Sequence, residues 1–408
     1  MNRLAISLLA ILAGLAMAAG VTPAAANSDH EPSWEVLADN LDNPRGLYQD
    51  GRNRIYVAEA GRGGPSLVDT PLGDSDGPIC LGDTGRISRI TNQGVETVID
   101  GLPSATEAVD GACEGPFFGT GATGPHGVDR WRGRLSYSTG LGGTPAVRDV
   151  LAAVSPGAAN LAMVDIGDRG PQSFDLAQIE DQLDPDGEGA DSNPYGVFNS
   201  GSNTTVAIDS GGNSLLELRR NGDVEVLATF APRCVPFNLG ENPIPAEFNP
   251  CGDQALFPAQ AVPTDVARHR DRDLLVSTLG GFPFTPGYSV VYKIDRRHVG
   301  TATCSQFEEI PSDGCEVFAD GLTAAVGLDV GRRGDVYVVQ FADAGVLAAF
   351  SGTDAGSVQV FNRNGGHIGS LDGLTLPGGI ATRGKHLVVS NKSVFAGVGE
   401  VLRTNQLR

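Results

Sequence analysis

Lysine is almost missing from this chain: Lys293, Lys385 and Lys392 are the only three in 408 residues. With 29 Lys and Arg against 49 Asp and Glu, the formal net charge is −20. A surface of that sign repels phosphate backbones and anionic bilayers, so no nucleic acid partner and no membrane insertion are expected. Beyond the first residues no apolar run is long enough to span a bilayer. Helical periodicity is weak outside about Asp175–Gln182, which argues against an α-rich fold. No H-E-x-x-H and no complete P-loop motif occurs, which removes the common zinc-protease and nucleotide-binding readings. There is no C-x-x-C knuckle either, so the cysteines do not read as a structural zinc site.

What is present begins with a compartment signal. Arg3 precedes an apolar run from Leu4 to about Met17, and Ala24-Ala25-Ala26 ends it in the small-residue form of a cleavage site. Residues 1–26 therefore read as a secretory signal peptide cut before Asn27, with a secreted or cell-envelope protein as the product. Six cysteines lie beyond it, and an even count in an exported chain reads as disulfides. Each successive pair falls within one stretch between the repeats, so the expected bridges are Cys80–Cys113, Cys234–Cys251 and Cys304–Cys315.

One phrase recurs six times: a turn with Pro, a Gly, an apolar strand, a short turn and a second apolar strand. It stands at Asn43-Pro-Arg-Gly-Leu47 with Arg54-Ile-Tyr-Val-Ala58, and at Gly124-Pro-His-Gly-Val128 with Arg134-Leu-Ser-Tyr-Ser138. Asn193-Pro-Tyr-Gly-Val197, Val262-Pro-Thr-Asp-Val266, Ala325-Val-Gly-Leu328 and Pro377-Gly-Gly-Ile380 open the other units. Two more strand-like pieces close each unit, giving four short strands with Gly-rich turns. The expected fold is all-β: a six-bladed β-propeller forming one domain over residues 27–408, with blades starting near 41, 122, 191, 259, 323 and 376. The sixth unit lacks its last strand, whereas Trp34-Glu-Val-Leu-Ala-Asp-Asn-Leu41 matches the text of that strand and has no unit before it. The N-terminal segment should therefore complete the last blade and hide its edge. A ring closed in this way has little need of a partner and is expected to be a monomer.

The phrases Asn43–Leu47, Tyr56-Val-Ala-Glu-Ala-Gly-Arg-Gly-Gly64, Gly140-Leu-Gly-Gly143, Asp191-Ser-Asn-Pro-Tyr-Gly196, Gln260-Ala-Val-Pro-Thr264, Gly280-Gly-Phe-Pro-Phe284 and Ser393-Val-Phe-Ala-Gly-Val-Gly-Glu-Val401 together resemble the ScyD/ScyE family of exported propellers. The resemblance runs from about Trp34 to the C-terminus. It implies a six-bladed architecture akin to NHL-repeat and SMP-30/gluconolactonase-like propellers, and no settled chemistry. The chain departs from the repeat at Asp265, where most units carry Gly.

In such a blade, first-strand starts and second-strand ends meet at one face of the channel, the expected binding site. The candidates there are Arg45, Glu59, His126, Asn193, Tyr195, Thr264, Asp265, Gln340 and Asn391. Glu59, Asp209, Asp265 and Asn391 would offer oxygen ligands from separate blades, a set suited to calcium. SMP-30-like lactonases hold such an ion, which would polarise a carbonyl and bring water to it. The acidic loop Asp184-Pro-Asp186-Gly-Glu188-Gly-Ala-Asp191 is a second calcium candidate through Asp184, Asp186 and Asp191, although the EF-hand spacing is not met. Asp69, Asp74 and Asp76 form a looser version. Three functions follow: a non-catalytic binding scaffold for a small molecule, glycan or protein; a calcium-dependent SMP-30/gluconolactonase-like hydrolase; and a structural cell-envelope module.

Overall fold

The computed structural model describes residues 32–70, 72, 77–167, 172–237, 249–253, 255–270, 273–298, 300–305, 314–349 and 351–406. The signal-peptide segment, Asp74 and Asp76 lie outside the described residues. Six antiparallel sheets form a ring, a six-bladed β-propeller. The innermost strands are Pro44–Gln49, Pro125–Trp131, Pro194–Phe198, Pro263–Arg268, Ala325–Val330 and Ile380–Arg383, in blades 1 to 6. Each touches the next, and the sixth touches the first. The second strands are Ile55–Glu59, Arg134–Thr139, Thr204–Asp209, Leu274–Thr278, Val336–Gln340 and His386–Asn391. Packed between neighbours, they are buried nearly throughout, which explains their mostly apolar text, broken by small buried hydroxyl residues such as Ser138 and Ser390. The core lies between blades: Leu275 and Val291 of blade 4 pack with Leu328, Val336 and Val338 of blade 5.

The recurring Pro-x-Gly phrase has a structural cause. Pro opens the innermost strand, where its missing N–H leaves no ladder bond unmade. A break in register follows between Pro44 and Leu47, Pro125 and Val128, and Pro194 and Val197. This bulge re-aims the intervening side chain. The Gly then meets the next blade: a β-carbon on Gly127 would sit 2.3 Å from the Tyr195 carbonyl oxygen, and one on Gly379 would sit 2.5 Å from that of Arg45. A serine seals the same seam. Gly379 N–H donates to Ser390 Oγ (2.7 Å), which donates to the Arg45 carbonyl (2.8 Å). Gly127, Ser138 and the Tyr195 carbonyl repeat the arrangement between blades 2 and 3.

Closure takes the expected form. Glu35–Leu41 pairs antiparallel with Gly399–Asn405 as the outer strand of blade 6. Leu41 and Ala38 join Leu47, Val57, Val388 and Val401 in the core between blades 6 and 1. Trp34 Nε1 donates to the Asp372 carbonyl of blade 5 (2.7 Å). All three neighbour disulfides are present, with Cα separations of 5.5, 5.6 and 5.5 Å. Cys304–Cys315 joins a short strand, Ala302–Cys304, that extends blade 3 to the outer strand of blade 4, Cys315–Leu322.

Helices are few. Leu176–Leu183 falls where periodicity indicated. A second helix, Pro145–Val154, escapes that signal; it starts from a Thr144 cap with Pro145 in its first turn. Arg148 on this helix binds both carboxylate oxygens of Asp175 at 2.6 Å. Among the described residues no helix is long and apolar enough to cross a membrane.

A chain beginning at Asp42 loses the outer strand of blade 6 and the anchor at Trp34. Its melting temperature should fall by roughly 10 °C, the equivalent of several kcal/mol; an unchanged calorimetric melt would contradict closure by this strand. Gly127→Ala forces a methyl against a backbone carbonyl and should cost about 1–3 kcal/mol in denaturant unfolding. Gly201→Ala, which faces open space, should stay within about 0.5 kcal/mol of the native chain.

Candidate binding site

The described residues leave an open cavity of about 340 Å³ at the centre of the ring, at the end where the innermost strands finish. Tyr48, Gln49, Asp129, Trp131, Phe198, Asp265, Arg268, Asp329, Thr382 and Arg383 contribute to its wall. The volume is at the lower end of the range for small-molecule sites, roughly 300–1,000 Å³.

Three carboxylates in the wall also stitch blades together. Asp129 Oδ2 accepts from the Asn199 backbone N–H (2.6 Å) and side-chain amide (3.0 Å) of blade 3. Asp265 Oδ2 accepts from Leu328 N–H of blade 5 (3.0 Å), and Oδ1 from its neighbour Val266 (2.9 Å). Asp329 Oδ2 accepts from both N–H and Oγ1 of Thr382 in blade 6 (2.6 and 2.9 Å). Burial pushes Asp265 up to about 7, against the pull of those N–H groups, and the charges of Asp329 and Asp129 add to the rise. Burial likewise raises Asp329 to about 6 and lifts Asp129 above the usual carboxylate range. Two polar atoms of the wall are buried without a hydrogen-bond partner among the described residues: Trp131 Nε1 and Gln49 Oε1.

Of the nine channel residues expected from sequence, Asp265 alone contributes to this wall. The others are taken up by contacts within the protein. Arg45 is 4% exposed, donates to the Ala122 carbonyl (3.1 Å) and hydrogen-bonds Tyr195. His126, also 4% exposed, lies 4.6 Å from the Tyr195 ring, with Nδ1 3.1 Å from the Pro194 carbonyl oxygen. Burial, aided by Arg45, drops His126 to about 3, so it is a neutral packing residue at physiological pH. Thr264 Oγ1 donates to the Ala325 carbonyl (3.1 Å). The second-strand ends cap backbone N–H groups: Glu59 takes Asp42, Asp209 takes Asn193, Gln340 takes Thr323 and Asn391 takes Thr375, at 2.7–2.9 Å.

The channel calcium set does not fit. Glu59, Asp209 and Asp265 are not brought together, and Glu59, Asp209 and Asn391 are committed to those caps. Among the described residues the one cluster of three or more acidic, His or Cys ligands is Glu180, Asp184 and Asp186. Asp184 and Asp186 of the acidic-loop reading are in it. Asp191 is not, although its charge acts on Glu180.

The residues missed by sequence had partial signals. Asp129 and Asp329 each stand two places after the repeat Gly (Gly127 and Gly327), so a carboxylate recurs at one repeat position. Glu180 stands four residues before Asp184, on the same helical face. Nothing in the text marked the orphaned polar atoms of Gln49 and Trp131, which only the assembled ring creates.

No family model matches the chain, and no curated protein does. The likeness to the ScyD/ScyE family therefore rests on the stretches that carry it. Among solved structures, the chain is similar to a virginiamycin B lyase from Staphylococcus aureus, with TM-score 0.45 and 11% identity over 92% of this chain and 100% of that one. It is also similar to a gluconolactonase from Xanthomonas campestris (TM-score 0.42, 12% identity, 93% of this chain and 99% of that one). A luciferin-regenerating enzyme gives TM-score 0.45 and 9% identity over 92% and 96%.

Proposed function

We propose that this protein is an exported, monomeric, single-domain propeller of the ScyD/ScyE type that binds a small hydroxyl-rich molecule, a sugar or sugar-like compound, in the central cavity. The observation that carries this reading is the make-up of the cavity wall: aromatic surface from Tyr48 and Phe198, donors from Arg268 and Arg383, and acceptors from Asp129, Asp265 and Asp329 around one open space of about 340 Å³. Hydroxyl groups both donate and accept, so a ligand carrying several of them suits a wall that offers both kinds of partner beside aromatic faces. Export is supported by the leader-like N-terminus and by three disulfides, which persist in oxidising compartments.

A hydrolase reading draws on one feature, the Asp265 carboxyl near neutrality inside the cavity, a property of general acids and bases. It is checked by lactone and ester turnover with Asp265→Asn as the control.

Titration calorimetry with neutral mono- and disaccharides should show saturable binding. Arg268→Met and Arg383→Met each remove a donor from the wall and should weaken binding about tenfold, some 1.4 kcal/mol. Ionised carboxylates accept hydroxyl protons more strongly than neutral acids do. Affinity should therefore rise from pH 5 to pH 8, as Asp329 and Asp265 lose protons near 6 and 7, and Asp265→Asn should flatten that rise. A panel that produces no heat, or variants that bind like the native protein, would overturn the proposal.

A further inference from the structure

A second acidic site lies away from the cavity, between blades 2 and 3. Helix Leu176–Leu183 follows the outer strand of blade 2 and ends at Asp184, in the left-handed conformation with φ 42°. The loop beyond it runs over the turn joining the second and third strands of blade 3. Asp184 Oδ1 accepts from Gly189 N–H (2.6 Å) and Asp186 Oδ1 from Glu188 N–H (2.9 Å). Asp186 Oδ2 accepts from Asn213 Nδ2 of blade 3 (2.9 Å). These bonds account for the shape of the loop.

They do not account for Glu180. This residue is 1% exposed, and neither carboxylate oxygen has a hydrogen-bond partner among the described residues. Ligand oxygens of Glu180, Asp184 and Asp186 lie within 4.8 Å of one another. Blade 3 closes on the same carboxylate: a β-carbon on Gly212 would sit 2.2 Å from Glu180 Oε2. The neighbouring charges that act on Glu180 are all acidic: Asp209, Asp186, Asp184 and Asp191. A carboxylate buried without donors among like charges is strongly unfavourable unless it takes up a proton or shares a cation with its neighbours, and ligand oxygens of three carboxylates gathered at one point are placed to share a cation.

We infer that Glu180, Asp184 and Asp186 bind one calcium-like divalent cation that clamps the helix and acidic loop of blade 2 onto blade 3. Oxygen donors from three carboxylates suit a hard cation. The irregular loop suits calcium better than magnesium, which demands near-ideal octahedral geometry. Water would complete the shell. The site is independent of the central cavity and of the sugar-binding reading.

The test is calcium titration of the metal-stripped, disulfide-intact protein by calorimetry and thermal melting, with magnesium as comparator. One calcium per chain is expected. At 100 times the dissociation constant the melting temperature should rise by roughly 3–5 °C, and cleavage within Asp184–Asp191 by added protease should slow. Glu180→Gln should weaken calcium binding at least tenfold. Asp184→Asn should do the same; it is the safer variant for folding, because Asn tolerates the left-handed conformation and keeps an acceptor for Gly189. Sugar binding should be unchanged in Asp184→Asn. Absence of calcium binding to the folded native protein would overturn the inference, as would undiminished binding in Asp184→Asn.

Discussion

The centre of this ring depends on how closely one innermost strand approaches the next. At Gly46, Gly127, Gly196, Gly327 and Gly379 an added β-carbon would lie 2.3–2.8 Å from backbone of the following blade. Any side chain there would push two strands apart, so these glycines set the radius of the ring. The approach also brings polar backbone into register across the seams. Ser138 and Ser390 each connect a glycine N–H of their own blade to a carbonyl of the next. Blade 4 is the exception, with Asp265 at the glycine position. There Thr264 and Asp265 take over the seam, bonding Ala325 and Leu328 of blade 5.

The same closeness governs the chemistry of the cavity. Asp129, Asp265 and Asp329 are held against neighbouring strands, where desolvation raises all three. Backbone N–H groups offset part of that cost, since charge-assisted bonds contribute about 1.5–3 kcal/mol each. The result is a wall in which burial lifts all three acids above the usual carboxylate range, Asp265 to about 7 and Asp329 to about 6. The hydroxyl-rich ligand proposed for the cavity would meet acceptors already fixed in place by the scaffold, so that its binding would require little ordering of the protein.

Architecture was legible in the sequence because each repeat states it again. The Pro-x-Gly phrase, the second apolar strand and the displaced outer strand at Trp34–Leu41 specify blades and closure without reference to distant residues. The disulfides followed from the same spacing, since each pair falls between repeats. The channel residues were less legible. Arg45, His126 and Tyr195 start three successive innermost strands, but they are buried against one another, a packing between blades that the text does not display. Second-strand ends such as Glu59 and Asp209 read as ligands because they are acidic. Their actual partners are backbone N–H groups at the start of the adjoining innermost strand, which the text does not display.

The two acidic regions differ in how their charge is balanced, and that difference separates scaffold chemistry from ion chemistry. Each channel carboxylate has N–H donors from its own or the adjoining strand, and Arg268 stands close enough to Asp129 to act on its charge. Glu180 has no such donor, and Asp184 and Asp186 spend their backbone bonds on the loop itself. Nor can lysine come to its aid: Lys293 lies in blade 4 and Lys385 and Lys392 in blade 6. No basic side chain is among the charges that act on Glu180, so the positive charge that balances it comes from outside the polypeptide, as the inferred cation or as a proton.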